Sequence, residues 1–272
     1  MTTLIAWTSH DQRNFSAFHV ASDSRITWGS SVKRWDAGRK IFSSSVTPDI
    51  WAYSGDVLFP ALVLSQIIDA VDLQLLFPEN LSASDRNEII FNVIQVSLET
   101  CHEAPISKFS ILHASRDGEK TLAEPVLWCI SYDPKTHVLS NDKIEIRNSP
   151  EVFALHGSGA VSTDAELRKW KKSDIGCTSR SIYSAFCASI ANGDDPLSGG
   201  APQLASIYPS GPAKTIGTLS GRCLYLHGLP IVAIPTSKNI NWFDELFQRV
   251  DPNTFGLLKG AARHAVPKFR GR

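Results

Sequence analysis

The chain has 272 residues, 43% of them hydrophobic and 20% charged, which is enough apolar material for one large core or two smaller ones. Its 27 Lys and Arg residues balance 27 Asp and Glu residues, so composition argues against a protein that binds nucleic acid or a membrane surface. No uninterrupted apolar stretch reaches the roughly 18 residues that a membrane span requires, and no membrane partner is expected.

The first part of the chain has the pattern of β-strands and turns. Residues 3–7 and 15–21 are rich in β-forming side chains and flank a polar loop at residues 9–14, which predicts a β-hairpin. Shorter strands are predicted at residues 26–32, 40–43 and 50–53.

The pattern then changes to helical spacing. Apolar residues recur every three or four positions from Leu58 to Leu75, which predicts a helix that ends before Pro78. A second helical pattern begins at Ser82 or Ser84. Further strands are predicted at residues 107–115, 126–132, 136–139, 152–155, 204–208, 224–225 and 231–234, and further helices at residues 162–171, 179–191 and, shorter, near 242–249.

This order of elements predicts the fold class. Strands, two helices, strands, two helices and strands do not follow the strict βαβ alternation of a doubly wound sheet. We therefore expect an α+β fold, a four-layer α-β-β-α sandwich with two stacked antiparallel sheets between helical layers. No linker or internal repeat divides the sequence, so one domain is expected over residues 1–272, with about 50 C-terminal residues as an extension for packing or assembly.

The ends and the cysteines bear on location in the cell. The N-terminus lacks the basic segment and apolar core of a secretory signal peptide, since Asp11 and Arg13 interrupt it. The five cysteines are scattered and form no CxxC pair, which is typical of reduced thiols and not of a disulfide framework or a zinc site. A cytoplasmic protein is expected.

Thr2 directly follows the initiator methionine. A small residue at this position normally permits removal of Met1, and the mature chain would then carry a hydroxyl and a free α-amine on Thr2. A hydroxyl is a poor nucleophile until a base accepts its proton. An α-amine, with an unperturbed pKa of roughly 7.7–8.0, is suited to that task near neutral pH. Many proteins begin Met-Thr for no catalytic reason, so other residues must support this hypothesis.

A nucleophile of this kind needs a positive charge nearby and an acid to hold that charge. Asp23 follows the second predicted strand, and Lys40 stands 17 positions later, before an apolar pair. A lysine entering a strand beside the N-terminus would lower the proton affinity of the Thr2 amine, and Asp23 would keep the lysine protonated and oriented. The alternatives are a surface Asp–Lys pair of little energetic value, and Lys33 as the source of the positive charge.

Several short stretches, taken together, resemble a known family. They are Thr-Thr-Leu-Ile-Ala at residues 2–6, Ala-Ser-Asp-Ser-Arg-Ile-Thr at 21–27, Arg-Lys-Ile-Phe at 39–42, Tyr-Ser-Gly-Asp at 53–56, His-Gly-Ser-Gly-Ala at 156–160 and Asp-Pro-Leu-Ser-Gly-Gly at 195–200. In this order and spacing they are similar to the proteasome β-subunits and HslV-type peptidases, N-terminal-nucleophile hydrolases that include bacterial proteasome homologues. The likeness spans residues 2–200, about three quarters of the chain.

The resemblance implies a catalytic role for three of the matching positions. Thr2 Oγ would be the nucleophile and the Thr2 α-amine the base, acting through a water. Lys40 would supply the positive charge, and Asp23 would be its counter-ion.

It also implies the surroundings of the nucleophile. Ser158, Asp195 and Ser198 would form the hydrogen-bond network around the amine, and the N–H of Gly55 would bind the oxyanion. Tyr53 would line the pocket for the side chain that precedes the cleaved bond. The alternative for Tyr53 is a strand residue that packs on the aliphatic stem of Lys40.

No cofactor or metal is expected. The histidines show no HxxxH or HxH pairing, and the adjacent carboxylates Asp194 and Asp195 point apart on an extended chain.

The resemblance implies a threonine-type peptidase subunit of a self-compartmentalising complex that hydrolyses peptide bonds. Such subunits form homo-oligomeric double rings, six- or seven-fold with seven favoured, and act on peptides or unfolded proteins. The chain has no nucleotide-binding motif, so an ATP-dependent unfoldase would be a separate chain. Two alternatives stay open: a catalytically inactive structural ring subunit, and an amidase of the same class that acts on a small-molecule amide.

Overall fold

A computed structural model of the protein describes residues 2–11, 14–28, 33–147, 151–233, 239–264 and 268. Strand residues make up 35% and helical residues 24%, in three sheets and four α-helices among the described residues. The predicted removal of Met1 lies outside these residues, and so do parts of the predicted C-terminal extension.

The largest sheet in the described chain contains nine strands. They are β1 (Leu4–Asp11), β2 (Asn14–Ser22), β10 (Val152–His156), β11 (Gln203–Ile207), β12 (Lys214–Ser220), β13 (Cys223–Leu226), β14 (Leu229–Ile231), β15 (Asn241–Phe243) and β16 (Arg249–Val250). Their order is β10-β1-β2-β11-β12-β13-β14, with β15 joined to β12 and β16 joined to β15. The β12–β15 pair is parallel, whereas β1 is antiparallel to both of its neighbours.

The second large sheet is an antiparallel meander in chain order. Its strands are β5 (Ile41–Ser43), β6 (Ile50–Gly55), β7 (Phe109–Asp117), β8 (Glu124–Asp133) and β9 (Val138–Ile144). A separate hairpin is formed by β3 (Ile26–Trp28) and β4 (Lys33–Trp35).

The helices have local start and stop signals in the sequence. They are α1 (Leu58–Asp72), α2 (Ala83–Glu99), α3 (Ala160–Trp170) and α4 (Ser179–Asn192). At the start of α2, Ser82 accepts a hydrogen bond from the Asp85 N–H, and the Asp85 carboxylate accepts one from the Ser82 N–H. Helix α4 ends at Gly193, whose φ of 71° is a left-handed conformation that glycine adopts readily.

Three apolar clusters hold these elements together. The first combines side chains of both larger sheets, among them Leu4 of β1 and Leu112 of β7. In the second, α1 and α2 pack on the five-stranded sheet, and the cluster includes Ile67 of α1 and Ile111 of β7. In the third, Phe186 of α4 packs with side chains of β1, β2 and β11.

The expected fold class, an α+β four-layer α-β-β-α sandwich of two antiparallel sheets, is wrong. The structure is mostly β, with 35% strand against 24% helix, and it has three sheets of which one contains nine strands. The physical reason lies after residue 214, where β12 to β16 extend the large sheet and β15 adds to it in parallel.

The short helix predicted near residues 242–249 is also wrong. Trp242 lies in β15, where its ring covers Gly217 of β12 so closely that a Cβ at Gly217 would overlap it. Asp244 then closes a turn, since its carboxylate accepts the N–H of Gln248 at 2.8 Å. Pairing with a distant strand therefore decides the conformation here.

Some strands of the structure were missed or only partly covered by the sequence predictions. Strands β4 and β12 were not predicted. Of the strand predicted at residues 26–32, only residues 26–28 lie among the described residues before the gap, and they form β3. Of the strand predicted at residues 231–234, Ile231 is the last residue of β14, residues 232 and 233 are not in a strand, and residue 234 lies outside the described residues. The single domain over residues 1–272 stays a prediction.

Candidate active site

Strand pairing brings four distant parts of the chain to one edge of the large sheet. Leu4 at the start of β1 lies opposite Ser22 at the end of β2 and opposite His156 at the end of β10. Gln203 at the start of β11 also lies opposite Ser22. Because these neighbours are antiparallel, the residues before β1 meet those after β2, after β10 and before β11.

Thr2 lies in this meeting point and is fully buried. Its carbonyl oxygen accepts a hydrogen bond from the Gly159 N–H at 3.3 Å. Gly157, with φ of 92°, passes so close that a Cβ there would overlap the Thr2 carbonyl. The chain after β10 therefore packs directly on the backbone of the proposed nucleophile, and only glycine fits at position 157.

Asp23 and Lys40 form a buried ion pair beside Thr3, the residue that follows Thr2. Lys40 Nζ lies 2.6 Å from Asp23 Oδ1, and both side chains are 0% exposed. The same Oδ1 accepts the Thr3 N–H at 3.0 Å, while Oδ2 accepts the N–H groups of Gly199 at 2.9 Å and Arg25 at 3.1 Å. These donors fix the carboxylate, as is required for a buried charge.

The surroundings of Lys40 change the pKa of its ammonium group. Burial lowers the pKa of Lys40 below its ordinary value, and the Asp23 carboxylate opposes that effect. The alternative lysine, Lys33, is exposed in β4 and pairs across the hairpin with Trp28. The structure thus brings Lys40 to Asp23 and keeps Lys33 on a separate hairpin.

A second set of hydrogen bonds joins Ser158, Asp195 and Ser198. Both serine hydroxyls donate to Asp195 Oδ2 at 2.7 Å. The Thr3 hydroxyl donates to Ser198 Oγ at 2.8 Å, which links this network to the N-terminal segment. Burial alone would raise the pKa of Asp195, but the bonds from Ser158 and Ser198 outweigh it and the pKa lies below its ordinary value. Asp195 is therefore favoured in its carboxylate form, which accepts these hydrogen bonds.

Tyr53 and Gly55 lie in β6, whose Tyr53 N–H donates to the Lys40 carbonyl at 3.2 Å. The Tyr53 ring is 1% exposed and belongs to the apolar cluster under α1 and α2. Its hydroxyl donates to the Arg39 carbonyl at 3.1 Å, and burial raises its pKa. The structure therefore places this side chain in the core beside the segment that carries Lys40. The pocket role of Tyr53 and the alternative of packing on the Lys40 stem both stay predictions.

Gly55 ends β6 in a conformation that favours glycine. Its φ is 97°, and a Cβ there would overlap the carbonyl of Lys108. The oxyanion role of its N–H stays a prediction.

Two further residues organise the site and were not assigned roles from the sequence. Arg25 binds both carboxylate oxygens of Asp36, at 2.7 and 2.8 Å, and donates to the carbonyls of Pro196 at 3.0 Å and Ser198 at 3.1 Å. It thereby fixes the loop that carries Asp195 and Ser198.

Gln203 is 1% exposed and bonds to the segments of both Asp23 and Lys40. Arg25 stood inside a matching stretch, but Gln203 gave no local signal.

A cavity lies on one side of the loop that carries Asp195 and Ser198. Its volume is about 420 Å³, and it is lined in part by Arg25, Pro196 and Ser198. Among the described residues, no group of three or more His, Cys, Asp or Glu side chains is arranged to hold a metal ion. None of the helices in the described ranges combines the length and apolar character needed to cross a membrane.

No protein-family model matches the chain, and no curated protein matches it. The likeness to proteasome β-subunits therefore rests on the motifs quoted above.

Proposed function

We propose that the chain is a threonine-type peptidase whose nucleophile is Thr2, made N-terminal by removal of Met1. The observation that carries this proposal is the Lys40–Asp23 pair, 2.6 Å long and fully buried, whose carboxylate also accepts the Thr3 N–H. Replacing a buried ion pair by apolar residues is often neutral or stabilising, so such a pair is weak support for a purely structural role. A function at the adjacent threonine explains it better.

The chemistry balances within the chain and its substrate. Thr2 Oγ attacks the carbonyl carbon of a substrate amide, and the Thr2 α-amine accepts the hydroxyl proton through a water. The C–N bond then breaks, the amine returns the proton to the leaving nitrogen, and the acyl group stays on Thr2 as an ester. Water, deprotonated by the same amine, hydrolyses the ester and restores the hydroxyl.

The surrounding residues each support one step of this scheme. The Lys40 ammonium disfavours a second positive charge on the Thr2 amine, which keeps that amine available as a base. The Asp195 carboxylate with Ser158 and Ser198 orients the N-terminal segment. The N–H of Gly55 would stabilise the oxyanion, a contribution typically worth about 10²–10³ in rate.

The assembly and the substrates follow from the resemblance. We infer peptides or unfolded proteins as substrates, a homo-oligomeric double ring of six- or seven-fold symmetry, and a cytoplasmic location. A separate ATP-dependent unfoldase would supply the substrates.

Hydrolysis measurements with matched variants test this proposal. The purified chain, with Met1 loss confirmed by intact mass, is assayed on a fluorogenic peptide amide, on unfolded casein and on small-molecule amides. We expect peptide cleavage that Thr2→Ala abolishes and that Thr2→Ser retains in part, because serine keeps both the hydroxyl and the amine. Cleavage of small amides alone would favour the amidase alternative. Retained Met1, or no hydrolysis of any of these substrates, would favour the inactive ring subunit.

A further inference from the structure

Gln203 occupies an unusual position for a polar side chain. It is the first residue of β11 in the nine-stranded sheet, and it is 1% exposed. It lies opposite Ser22, the last residue of β2, and therefore beside the point where the chain turns toward Asp23. A buried amide in such a place requires partners for both its oxygen and its nitrogen.

The amide nitrogen binds the segment that contains Asp23 and the segment that leads to Lys40. Gln203 Nε2 donates to the carbonyl of Gly38 at 2.7 Å, and to the Asp23 carbonyl and the Ser24 hydroxyl, both at 3.1 Å. Two N–H groups are thus shared among these acceptors. The bond to Gly38 is the shortest of them.

The amide oxygen binds the backbone of Lys40 itself. Gln203 Oε1 accepts the Lys40 N–H at 3.0 Å and the Ile41 N–H at 3.4 Å. Lys40 immediately precedes β5 of the other large sheet. One side chain on the nine-stranded sheet therefore holds the backbone on both sides of position 40, and it also holds the backbone of Asp23.

This bridge spans two sheets that are also joined by apolar contacts and by a hydrogen bond of 2.6 Å between the hydroxyls of Ser43 in β5 and Thr215 in β12. Apolar contacts resist separation of the sheets but fix lateral position less strictly than hydrogen bonds do. The Lys40–Asp23 distance of 2.6 Å depends on that lateral position, because each partner belongs to a segment of a different sheet. A side chain with both donors and acceptors is needed, which leucine or methionine cannot supply.

We propose that Gln203 is a positioning residue that holds the Lys40 ammonium against Asp23 and so beside Thr2. The effect on catalysis rests on the proposed function, whereas the effect on Lys40 does not. Gln203→Met keeps a long side chain of similar length and removes every one of these bonds. Ser206→Ala is the matched control, because Ser206 is a buried polar residue of the same strand whose hydroxyl contacts His19 and not Lys40.

Two measurements are made on the full chain. The first is the Nζ signal of Lys40 in protein labelled with [15N]lysine, assigned by its loss in Lys40→Arg. The second is the pH dependence of Thr2 inactivation by a peptide epoxyketone. In Gln203→Met we expect the Lys40 signal to move or to broaden by faster hydrogen exchange. We expect the inactivation rate to fall on the order of 100-fold, as misplaced catalytic groups do, and its rising limb to shift to higher pH by about 0.5 unit or more. Ser206→Ala should leave both readouts at wild-type values.

The outcomes separate this proposal from the one on which it rests. An unchanged Lys40 signal in a folded Gln203→Met protein would overturn the role of Gln203, whatever the activity. A changed Lys40 signal in a chain whose Thr2 never reacts would support the role of Gln203 and overturn the peptidase function.

If Gln203→Met does not fold, Gln203→Glu decides the matter, because it keeps the shape and the acceptor for the Lys40 N–H. Once ionised, the introduced carboxyl cannot donate to Gly38. The native Lys40 signal should then be lost as the pH rises through the titration of that carboxyl, and retention at high pH would contradict the proposal.

Discussion

Lys40 Nζ lies 2.6 Å from Asp23 Oδ1, and neither side chain is exposed to solvent. The carboxylate is further fixed by backbone N–H groups of Thr3 and Gly199, which belong to segments 196 residues apart in the chain (199 minus 3). The pair therefore connects the N-terminal segment, the end of β2 and the loop before β11.

Breaking this pair from one side should cost stability and activity together. We expect Lys40→Met to destabilise the protein by about 3–5 kcal/mol, because it leaves the Asp23 charge buried without its partner. In the double variant Asp23→Asn/Lys40→Met, part of that stability should return while Thr2 stays unreactive. The return is partial because the amide nitrogen of Asn cannot accept a backbone N–H, whereas both oxygens of Asp23 do so. Urea unfolding and epoxyketone labelling measure the two effects. A double variant that regains labelling would contradict the role assigned to Lys40.

Gly157→Ala should disable the site more severely than an ordinary glycine substitution. Its φ of 92° and the approach of the Thr2 carbonyl leave no room for a methyl group. The control is Gly193→Ala, since Gly193 also has a positive φ, 71°, but nothing lies within 4 Å of the position of a Cβ. We expect the control to lose about 1–2 kcal/mol from backbone strain alone and to keep labelling. Gly157→Ala should lose more stability and all labelling; equal behaviour of the two variants would contradict the close packing.

The hydrogen bonds to Asp195 should affect the pKa of its carboxyl group. Ser158 and Ser198 each donate to Asp195 Oδ2 and hold the pKa of this carboxyl below its ordinary value. Removing both donors with Ser158→Ala/Ser198→Ala should raise the pKa of Asp195, which carboxyl carbon NMR can follow. We expect Thr2 labelling to slow by about tenfold, on the scale of one lost orienting contact. An unchanged titration of Asp195 would contradict the role of these two hydrogen bonds in solution.

Acid should destabilise the fold through a buried histidine away from the site. His19 is 3% exposed and contacts Ser206 at 2.6 Å, and burial lowers its pKa from 6.5 to about 3. The unfolded chain takes up a proton near pH 6.5 and the folded chain does not, so stability is full above pH 6.5 and falls as the pH drops toward about 3. One such histidine removes about 2 kcal/mol between pH 7 and pH 5.

The variant His19→Gln should flatten this part of the pH–stability curve, as measured by urea unfolding at several pH values. His102→Gln is the control, because His102 is exposed. A slope that His102→Gln changes and His19→Gln does not would contradict the assignment.

Short motifs in the sequence identified candidate site residues, whose roles stay predictions. Asp23, Lys40, Ser158, Asp195 and Ser198 stand in short stretches whose order and spacing could be compared with a family, and the structure brings them into two linked networks. The helices α1, α2 and α4 were predictable because their apolar periodicity is a local feature, as are the capping boxes of α2 and α4.

What could not be predicted depends on partners far away in the chain. The sequence pattern of residues 242–249 predicts a helix. In the structure, Gly217 leaves space for the Trp242 ring, and β15 pairs in parallel with β12. Gln203 resembles any polar residue at the start of a strand, since its partners Gly38 and Lys40 lie in the segment that leads into β5 of the opposite sheet. The burial of the Tyr53 ring under α1 and α2 could not be predicted, because the sequence does not show which face of β6 the helices cover.

The most direct test of the central claim is the intact mass of the protein after exposure to a peptide epoxyketone. This reagent reacts with a hydroxyl at its ketone and with an amine at its epoxide, so a stable ring adduct requires both groups of an N-terminal threonine. We expect a mass increase equal to the whole reagent, located on Thr2 by peptide mapping, present in Thr2→Ser and absent in Thr2→Ala. A chain that has lost Met1 and shows no adduct on Thr2 would contradict the claim that this residue is the nucleophile.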